Sequence, residues 1–337
     1  MLRLPKFEYL SPATVEEAVR ILAEAGPDAA LVAGGTDLFP RMMRRQREPR
    51  LIVSAAEITS LRGIRGDAKD GLTVGPNTTL AQLSAEHAIR KHYPALSEAA
   101  ACVASPQIRS AGTVGGNLLQ ETRCTFNDES YWWRQSSGPC LKSGGSVCHV
   151  AAKSARCWAV SSSDLAPVAV AMGAVLSFAG PKGTRVVPAG EFYSDDGINP
   201  VKKSSDEILI GISFPSAEGL LSTYLKLRRR GAVDFPLMGV AAVVRVDGRG
   251  TCLESRVVVG GIASWPLAVP GVDAILRGRE LSPVLIDEVA SAAYEAARPM
   301  DNADLTLLYR KTMVREYVGR ALRGFAHGSR GFRPAPP

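Results

Sequence analysis

The feature that most constrains this chain is a stretch at positions 119–160 in which the sequence has no regular periodicity. Four of the six cysteines of the 337-residue chain lie inside it, as Cys124, Cys140, Cys148 and Cys157. Its apolar residues follow neither the period of 2 typical of a strand nor the period of 3.6 typical of a helix. Long irregular segments within compact domains are uncommon and usually functional. We therefore predict a long, ordered loop that carries these cysteines.

The cysteine pattern favours metal binding, because clustered cysteines in a reducing compartment are more often ligands or catalysts than disulfides. There is no C-x-x-C pair, which weakens a zinc site built on paired ligands. Four thiolates from one irregular loop suit a [4Fe-4S] cluster, in which each iron takes one thiolate. The spacing alone favours iron–sulfur over zinc and leaves zinc and unrelated free thiols open. We expect Trp132, Trp133 and Trp158 to shield the cluster. His149 follows Cys148 and could be a ligand, but such a residue is more often a neighbour of the ligands or exposed.

The rest of the chain predicts an α+β protein, and its 337 residues suggest two domains. The N-terminal region reads as strand–helix–strand, and Thr14 and Glu17 form a capping box at the start of its helix. The C-terminal region reads as antiparallel strands followed by amphipathic helices. We predict a first domain over 1–217, divided into 1–60 and 61–217, a second domain over 218–327, and a mobile tail over 328–337.

Two glycine-rich segments follow strand-like runs, AGGTDL at 33–38 and TVGGNL at 113–118. Glycine loops expose consecutive backbone N–H groups, which can bind phosphate oxygens. Neither segment is G-x-G-x-x-G or a Walker A sequence, so Rossmann and P-loop sites are disfavoured. Each alone could be a tight turn. Together they favour a dinucleotide whose pyrophosphate lies between them, with Thr36, Thr113 and Asn117 as further donors.

Two charged residues have both a structural and a functional interpretation. Asp164 begins an apolar helix, where it could be the N-cap or accept a hydrogen bond from a ribose or a ring N–H. Lys226 precedes the run Arg228–Arg230, which could be a solvated patch or place a cation near a flavin or phosphate. Cys102 and Cys252 have apolar neighbours and are predicted to pack in the interior.

Charge and hydropathy exclude several classes of function. The net charge of +7 is scattered, so it is weak evidence for nucleic-acid binding and better suits docking of acidic proteins. No segment resembles a membrane span or a signal peptide, so we expect a cytoplasmic protein. No Ser-His-Asp order, HExxH motif or paired carboxylates are present. The chemistry must then come from cofactors.

AGGTDL, TVGGNL and SDLAP, in this order, resemble the FAD-binding (medium) subunit of the molybdenum hydroxylases, the xanthine dehydrogenase and carbon monoxide dehydrogenase group. The resemblance covers the whole chain. It implies a PCMH-type FAD-binding fold of two subdomains over 1–217, and a C-terminal domain with a three-stranded antiparallel sheet and helices. It also implies these FAD-binding residues: Val32, Ala33, Gly34, Gly35, Thr36, Asp37, Leu38, Phe39, Thr113, Gly116, Asn117, Asp164 and Lys226.

A narrower resemblance concerns the cysteine loop and AVDFPLMGVAA at 232–242, which are similar to the beta subunit of 4-hydroxybenzoyl-CoA reductase. In that branch the loop carries a [4Fe-4S] cluster, and the match implies Cys124, Cys140, Cys148 and Cys157 as its ligands. It also implies partner subunits with molybdopterin and with two [2Fe-2S] clusters. Electrons would pass from ferredoxin through [4Fe-4S] and FAD to the molybdenum, where 4-hydroxybenzoyl-CoA becomes benzoyl-CoA.

Two alternatives remain at this stage. One is the FAD subunit of a molybdenum hydroxylase that oxidises another aromatic or heterocyclic substrate and retains the cluster. The other is a zinc-stabilised binding subunit without redox activity. On either electron-transfer interpretation the substrate pocket lies on another subunit, so we predict no catalytic residues in this chain.

Overall fold

The computed structural model describes residues 3–326. Its first unit is a three-stranded parallel sheet with strand order β1-β3-β2. Parallel neighbours need crossover connections, and a helix follows each of the first two strands. The predicted strand–helix–strand unit is confirmed. Its elements are β1 (Glu8–Leu10), α1 (Val15–Ala25), β2 (Ala29–Val32), α2 (Leu38–Met43) and β3 (Leu51–Ser54).

The first helix shows how the sequence determines its own boundary. The Thr14 hydroxyl accepts a hydrogen bond from the backbone N–H of Glu17 (3.2 Å), as predicted. The Glu17 carboxylate accepts from the N–H of Ala13 (3.2 Å), one residue earlier than in a capping box. The helix buries Ala18, Val19 and Leu22 on one face. It ends at Ala25.

The second unit is a five-stranded antiparallel sheet with strand order β4-β5-β8-β6-β7. The chain leaves this sheet after its second strand, forms a series of short helices together with the cysteine segment, and returns. The strands are β4 (Ile64–Asp67), β5 (Gly71–Val74), β6 (Val175–Gly180), β7 (Gly183–Pro188) and β8 (Ile208–Phe214). The helices are α3 (Leu80–Ala85), α4 (His87–His92), α5 (Pro94–Cys102), α6 (Pro106–Ala111), α7 (Val114–Leu118), α8 (Tyr131–Ser136), α9 (Leu165–Ala171) and α10 (Ala189–Phe192).

The C-terminal unit is a four-stranded antiparallel sheet with strand order β12-β11-β10-β9. The three long strands match the prediction, but a two-residue strand adds a fourth, so the three-stranded expectation is wrong. That strand is too short to give a periodic signal. The elements are β9 (Leu220–Leu227), β10 (Met238–Val246), β11 (Cys252–Gly260), β12 (Leu267–Ala268), α11 (Val272–Leu276), α12 (Pro283–Ala296) and α13 (Leu307–Ala326).

The last helix is fastened to the C-terminal sheet by a fully buried arginine. The guanidinium of Arg310 donates to the carbonyl oxygens of Leu237 (3.3 Å), Met300 (2.9 Å) and Gly261 (2.6 Å). Burial lowers the pKa of this group, and the three carbonyls replace the hydration that it loses. The arginine thereby fixes how α13 lies across the sheet.

The two halves of the chain share an interior. The largest hydrophobic cluster contains residues of the central antiparallel sheet and of α5 and α9, and also Tyr224, Ala241, Val243 and Val258 from the C-terminal sheet. A second cluster lies between that sheet and α12 and α13, and includes Cys252 as predicted. The C-terminal unit therefore packs on the helices that precede it and does not form a separate body.

The predicted loop at 119–160 is mostly irregular, but it contains the one-and-a-half-turn helix α8 and a 3₁₀ turn at Leu141–Ser143. The Ser130 hydroxyl caps α8 by accepting from the N–H of Trp133 (3.2 Å). The aromatic run that forms this helix gave no periodic signal. The ends of the segment meet in an isolated antiparallel bridge between Arg123 and Val160.

Within residues 3–326, no helix has both the length and the apolar content needed to cross a membrane. The tail predicted to be mobile, 328–337, lies outside the described residues.

Candidate functional site

The first glycine segment connects β2 to α2 and lies against the end of α6. A Cβ atom built on Gly34 would be only 2.0 Å from the carbonyl oxygen of Ala111, so any side chain would push the two backbones apart. Gly35 has φ +70, a conformation that L-residues rarely adopt. Glycine is required at both positions, at Gly34 for the close approach and at Gly35 for the turn.

The second glycine segment is not a loop. Residues Val114–Leu118 form the short helix α7, and the Thr113 hydroxyl caps it by accepting from the N–H of Gly116 (3.1 Å). Gly115 lies against Pro76, where a Cβ would be 2.6 Å from the proline side chain. The glycines of this segment therefore allow close packing and helix capping. The prediction of a glycine loop at 113–118 is wrong, because the segment is helical.

The structure brings the two glycine segments together. A Cβ on Gly112 would be 3.4 Å from the Thr36 hydroxyl oxygen, and Gly34 contacts Ala111. The 33–37 turn is therefore a neighbour of the residues that precede α7. The first N–H groups of α7 are already bonded within the protein, since those of Val114, Gly115 and Gly116 donate to Thr78 O (2.9 Å), Pro76 O (2.8 Å) and Thr113 Oγ1 (3.1 Å). The proximity of the two segments is as predicted, and a pyrophosphate bound between them stays a prediction.

Asn117 anchors the start of α9 to α7. Its Oδ1 accepts hydrogen bonds from the Ser163 hydroxyl (2.8 Å) and from the backbone N–H of Leu165 (3.1 Å). The Ser163 oxygen in turn accepts from the N–H of Ala166 (2.9 Å) and so caps the helix. The N-cap interpretation of the Asp164 side chain is wrong, since its carboxylate makes no capping bond.

Asp164 and Lys226 instead form a buried ion pair between the two halves of the chain. The Lys226 Nζ lies 3.0 Å from Asp164 Oδ2, and the Tyr224 hydroxyl donates to Oδ1 at 2.7 Å. Lys226 also donates to the carbonyl of Cys102 (3.0 Å). Burial raises the pKa of Asp164, and Lys226 and Tyr224 oppose that shift. Their contacts with a flavin stay a prediction.

The arginine run beyond Lys226 is mainly a solvated patch. Arg229 pairs with Asp304 (3.0 Å) and Arg230 with Asp234 (2.5 Å), both at the surface. Arg228 reaches the carbonyl of Cys102 at 3.4 Å.

The four cysteines of the irregular segment line one small cavity. Cys124, Cys148 and Cys157 are buried and Cys140 is partly exposed, and all are free thiols. Burial raises the pKa of Cys124 to about 11 and raises that of Cys157. The other lining residues are Phe126, Asn127, Leu141, Lys142, His149, Val150 and Ala159. The structure therefore brings together the four predicted ligands.

Among residues 3–326, no three His, Cys, Asp or Glu side chains converge closely enough to hold a single metal ion. The cysteines surround the cavity without meeting at one point in it. The backbone N–H of Ala159 points to the Cys157 sulfur (3.4 Å), and the Cys140 thiol is 3.7 Å from the Ser143 hydroxyl. A Cβ on Gly197 would be 2.9 Å from the Cys157 sulfur, so glycine is needed there to leave room for the thiol.

The tryptophans do not shield this cavity, contrary to our expectation. Trp132 is 80% exposed and Trp133 is 39% exposed on the outer side of α8. Trp158 stacks under the Arg156 guanidinium at 3.7 Å and donates to the Ser154 hydroxyl. The rings nearest the thiols are Phe126 and His149, which meet edge to face at 5.7 Å between centroids.

A charge network that the sequence did not reveal joins the first glycine segment to the cysteine segment. Asp37 pairs with Arg41 (3.1 Å) and with Arg123 (2.5 Å), the residue before Cys124. Arg41 also donates to the carbonyls of Glu121 (3.2 Å) and Thr122 (3.1 Å). The one sequence feature that could have pointed to this network is the position of Arg123 directly before the predicted ligand Cys124.

Comparisons with known proteins agree with this arrangement. Residues 5–217 match the FAD binding domain in molybdopterin dehydrogenase, and residues 222–325 match the CO dehydrogenase flavoprotein C-terminal domain. The chain belongs to the molybdopterin dehydrogenase flavoprotein family. The predicted membership is confirmed at this level: the protein is an FAD-binding subunit of the molybdenum hydroxylase type.

Curated relatives match over nearly their whole length. The carbon monoxide dehydrogenase medium chain of Hydrogenophaga pseudoflava is 28% identical, over 94% of this chain and 96% of the relative. The aldehyde oxidoreductase FAD-binding subunit PaoB of Escherichia coli K12 is 30% identical, over 91% and 96%. A solved carbon monoxide dehydrogenase from H. pseudoflava superposes with a TM-score of 0.78 at 28% identity, over 95% of this chain and 97% of that one.

We predict that Gly34→Ala will lower the FAD content of the purified protein to less than half. The added methyl group would lie 2.0 Å from the Ala111 carbonyl oxygen and would displace the 33–37 turn. The measurement is the molar ratio of released FAD to protein. Gly190→Ala is the matched control, because a Cβ there meets nothing within 4 Å. Equal FAD content in the two variants would contradict this account of the turn.

We predict that Lys226→Met will lower the free energy of unfolding of the FAD-free protein by about 3 kcal/mol, because it leaves Asp164 buried without a partner. Adding Asp164→Asn should restore much of the loss, since the charge is then gone. Urea denaturation measures both effects, and Lys182→Met at an exposed site is the control. If the stability is unchanged and FAD binding is weaker, Lys226 acts on the cofactor and does not stabilise the fold.

Proposed function

We propose that this protein is the FAD- and iron–sulfur-containing electron-transfer subunit of a molybdenum enzyme that reductively removes the hydroxyl group of 4-hydroxybenzoyl-CoA. The observation that carries the proposal is the cavity lined by Cys124, Cys140, Cys148 and Cys157. A subunit that bound FAD alone would have no need for four thiols around one cavity. Family membership supplies the FAD and the molybdenum context.

The residues of the cavity fit a [4Fe-4S] cluster. Four cysteines are the ligand set that such clusters take, and a hydrogen-bond donor to sulfur is present at Cys157. Ligand thiols lose their protons when they bind a metal. The absence of a C-x-x-C pair among the four cysteines favours a cluster over a zinc site built on paired ligands.

In this proposal each part of the chain has a separate role. The 32–39 segment, Thr113, Gly116 and Asn117 bind FAD, with Asp164 and Lys226 beside it, and the four cysteines hold the cluster. When bound, the two groups supply one-electron and two-electron transfer. The Asp37 network keeps the two binding segments in fixed positions relative to each other.

The two partner subunits in this proposal follow from the family, and the ferredoxin follows from the resemblance of the cysteine loop to that of 4-hydroxybenzoyl-CoA reductase. A large subunit carries molybdopterin and the substrate pocket, a small subunit carries two [2Fe-2S] clusters, and a ferredoxin donates electrons. We place the complex in the cytoplasm, where the cysteines stay reduced until they bind metal. The domain boundaries at 217 and 218 remain part of the proposal.

A second candidate is an FAD subunit of a molybdenum hydroxylase that works in the oxidative direction. The names of the relatives favour it, because they include carbon monoxide dehydrogenase, xanthine dehydrogenase and nicotinate dehydrogenase subunits. The two candidates share the FAD site and the cavity, so substrate turnover must separate them.

We predict that the assembled complex contains about four more irons per copy of this chain than its [2Fe-2S] clusters account for. Cys140→Ser should remove that excess, because it deletes a ligand. Cys252→Ser should retain it, since Cys252 lies in the C-terminal core. The measurements are iron content and low-temperature EPR of the reduced complex. Equal iron in wild type and Cys140→Ser would contradict the cluster assignment.

We predict that the complex converts 4-hydroxybenzoyl-CoA to benzoyl-CoA with reduced ferredoxin as the donor. Product formation is measured by chromatography under anaerobic conditions. Carbon monoxide, xanthine and nicotinate with a dye acceptor are the comparison substrates. Turnover of one of these at a far higher rate, without dehydroxylation of the thioester, would favour the oxidative candidate.

A further inference from the structure

Lys142 is the residue on which this inference depends. It follows Cys140 by two positions and lines the same cavity as the four cysteines. Its side chain is only 9% exposed. The ammonium donates to the carbonyl oxygen of Gly197 (2.6 Å) and to Glu121 Oε2 (3.0 Å), so its direction is fixed by two bonds.

The composition of the cavity wall makes this lysine unusual. The other residues that line it have thiol, amide, imidazole or apolar side chains. Within the described chain, Lys142 is therefore the one lining residue with a permanent charge. Burying an ammonium is costly unless an opposite charge compensates it. Glu121 provides one negative charge to compensate the ammonium. Four thiolates on a cluster would provide further negative charge beside it.

Glu121 belongs to the same unit. Burial alone would raise the pKa of its carboxyl group, but Lys142, Arg41 and Arg47 outweigh burial and hold that pKa below its usual value. The Arg47 guanidinium is 3.6 Å from the second oxygen of Glu121. The carboxylate is thus ionised, and it partly cancels the positive charge that faces the thiols.

We propose that the Lys142–Glu121 pair sets the reduction potential at the cysteine cavity, with Lys142 stabilising the reduced state and Glu121 opposing it. The inference rests on the proposed cluster and adds a role for two residues that are not ligands. Reduction adds one negative charge at the cavity. A fixed positive charge beside it favours the reduced state, and a fixed negative charge disfavours it.

The experiment is an anaerobic redox titration of the assembled complex, followed by EPR and visible absorbance, with iron content measured in parallel. Lys142→Met should shift the oxidised-to-reduced ratio about tenfold toward the oxidised form, which is about 59 mV more negative for one electron. Glu121→Gln should shift it in the opposite direction. Lys142→Arg should remain close to wild type, because it keeps the charge. Lys153→Met, at an exposed lysine of the same segment, is the matched control.

Opposite shifts for Lys142→Met and Glu121→Gln would support the proposal, because a purely structural role predicts loss of iron in both and no such sign reversal. If both variants keep their iron and the wild-type potential, the proposal is overturned and the cluster assignment stands. If Lys142→Met loses its iron, the other two variants decide the question. A higher potential in Glu121→Gln with a wild-type potential in Lys142→Arg supports the proposal, and a wild-type potential in both overturns it. A wild-type complex without excess iron would overturn the proposal together with the proposed function.

Discussion

The Asp37 carboxylate is the contact on which the arrangement of the site depends. It ends the turn of the first glycine segment and pairs with Arg41 and Arg123, so one partly buried charge group holds the turn, α2 and the start of the cysteine segment. Two arginines on one carboxylate leave little freedom to any of the three segments. The cysteine segment forms few backbone hydrogen bonds of the kind that join strands. Its position therefore depends on its contacts with the FAD-binding part of the chain.

A second ion pair, which is buried, also fixes two elements relative to each other. Asp164 and Lys226 join the start of α9 to β9, and Tyr224 completes the group. Because the shared hydrophobic cluster lies next to this pair, the C-terminal unit supports the region where FAD is expected to bind. The family assignment and the geometry thus agree, since the ion pair joins the FAD-binding domain over residues 5–217 to the C-terminal domain over residues 222–325.

Much of the fold could be predicted because its signals are local. Thr14 marks the start of α1, and alternating or continuous apolar runs mark the long strands. The errors have local causes as well. The segment after Thr113 is a capped helical turn in which glycines serve packing, and β12 is too short to show a period. The aromatic helix α8 was missed because its exposed tryptophans do not alternate with polar residues in a helical pattern.

The sequence by itself determined the long strands and helices, the glycine positions and the presence of four clustered cysteines, because each depends on neighbouring residues. Only the tertiary structure decided that those cysteines share one cavity, that Lys142 faces it and that Asp37 reaches Arg123. The last contact spans 86 positions, and that between Asp164 and Lys226 spans 62. Pairs this distant in sequence meet only where the whole chain path brings them together, and no local pattern encodes that path.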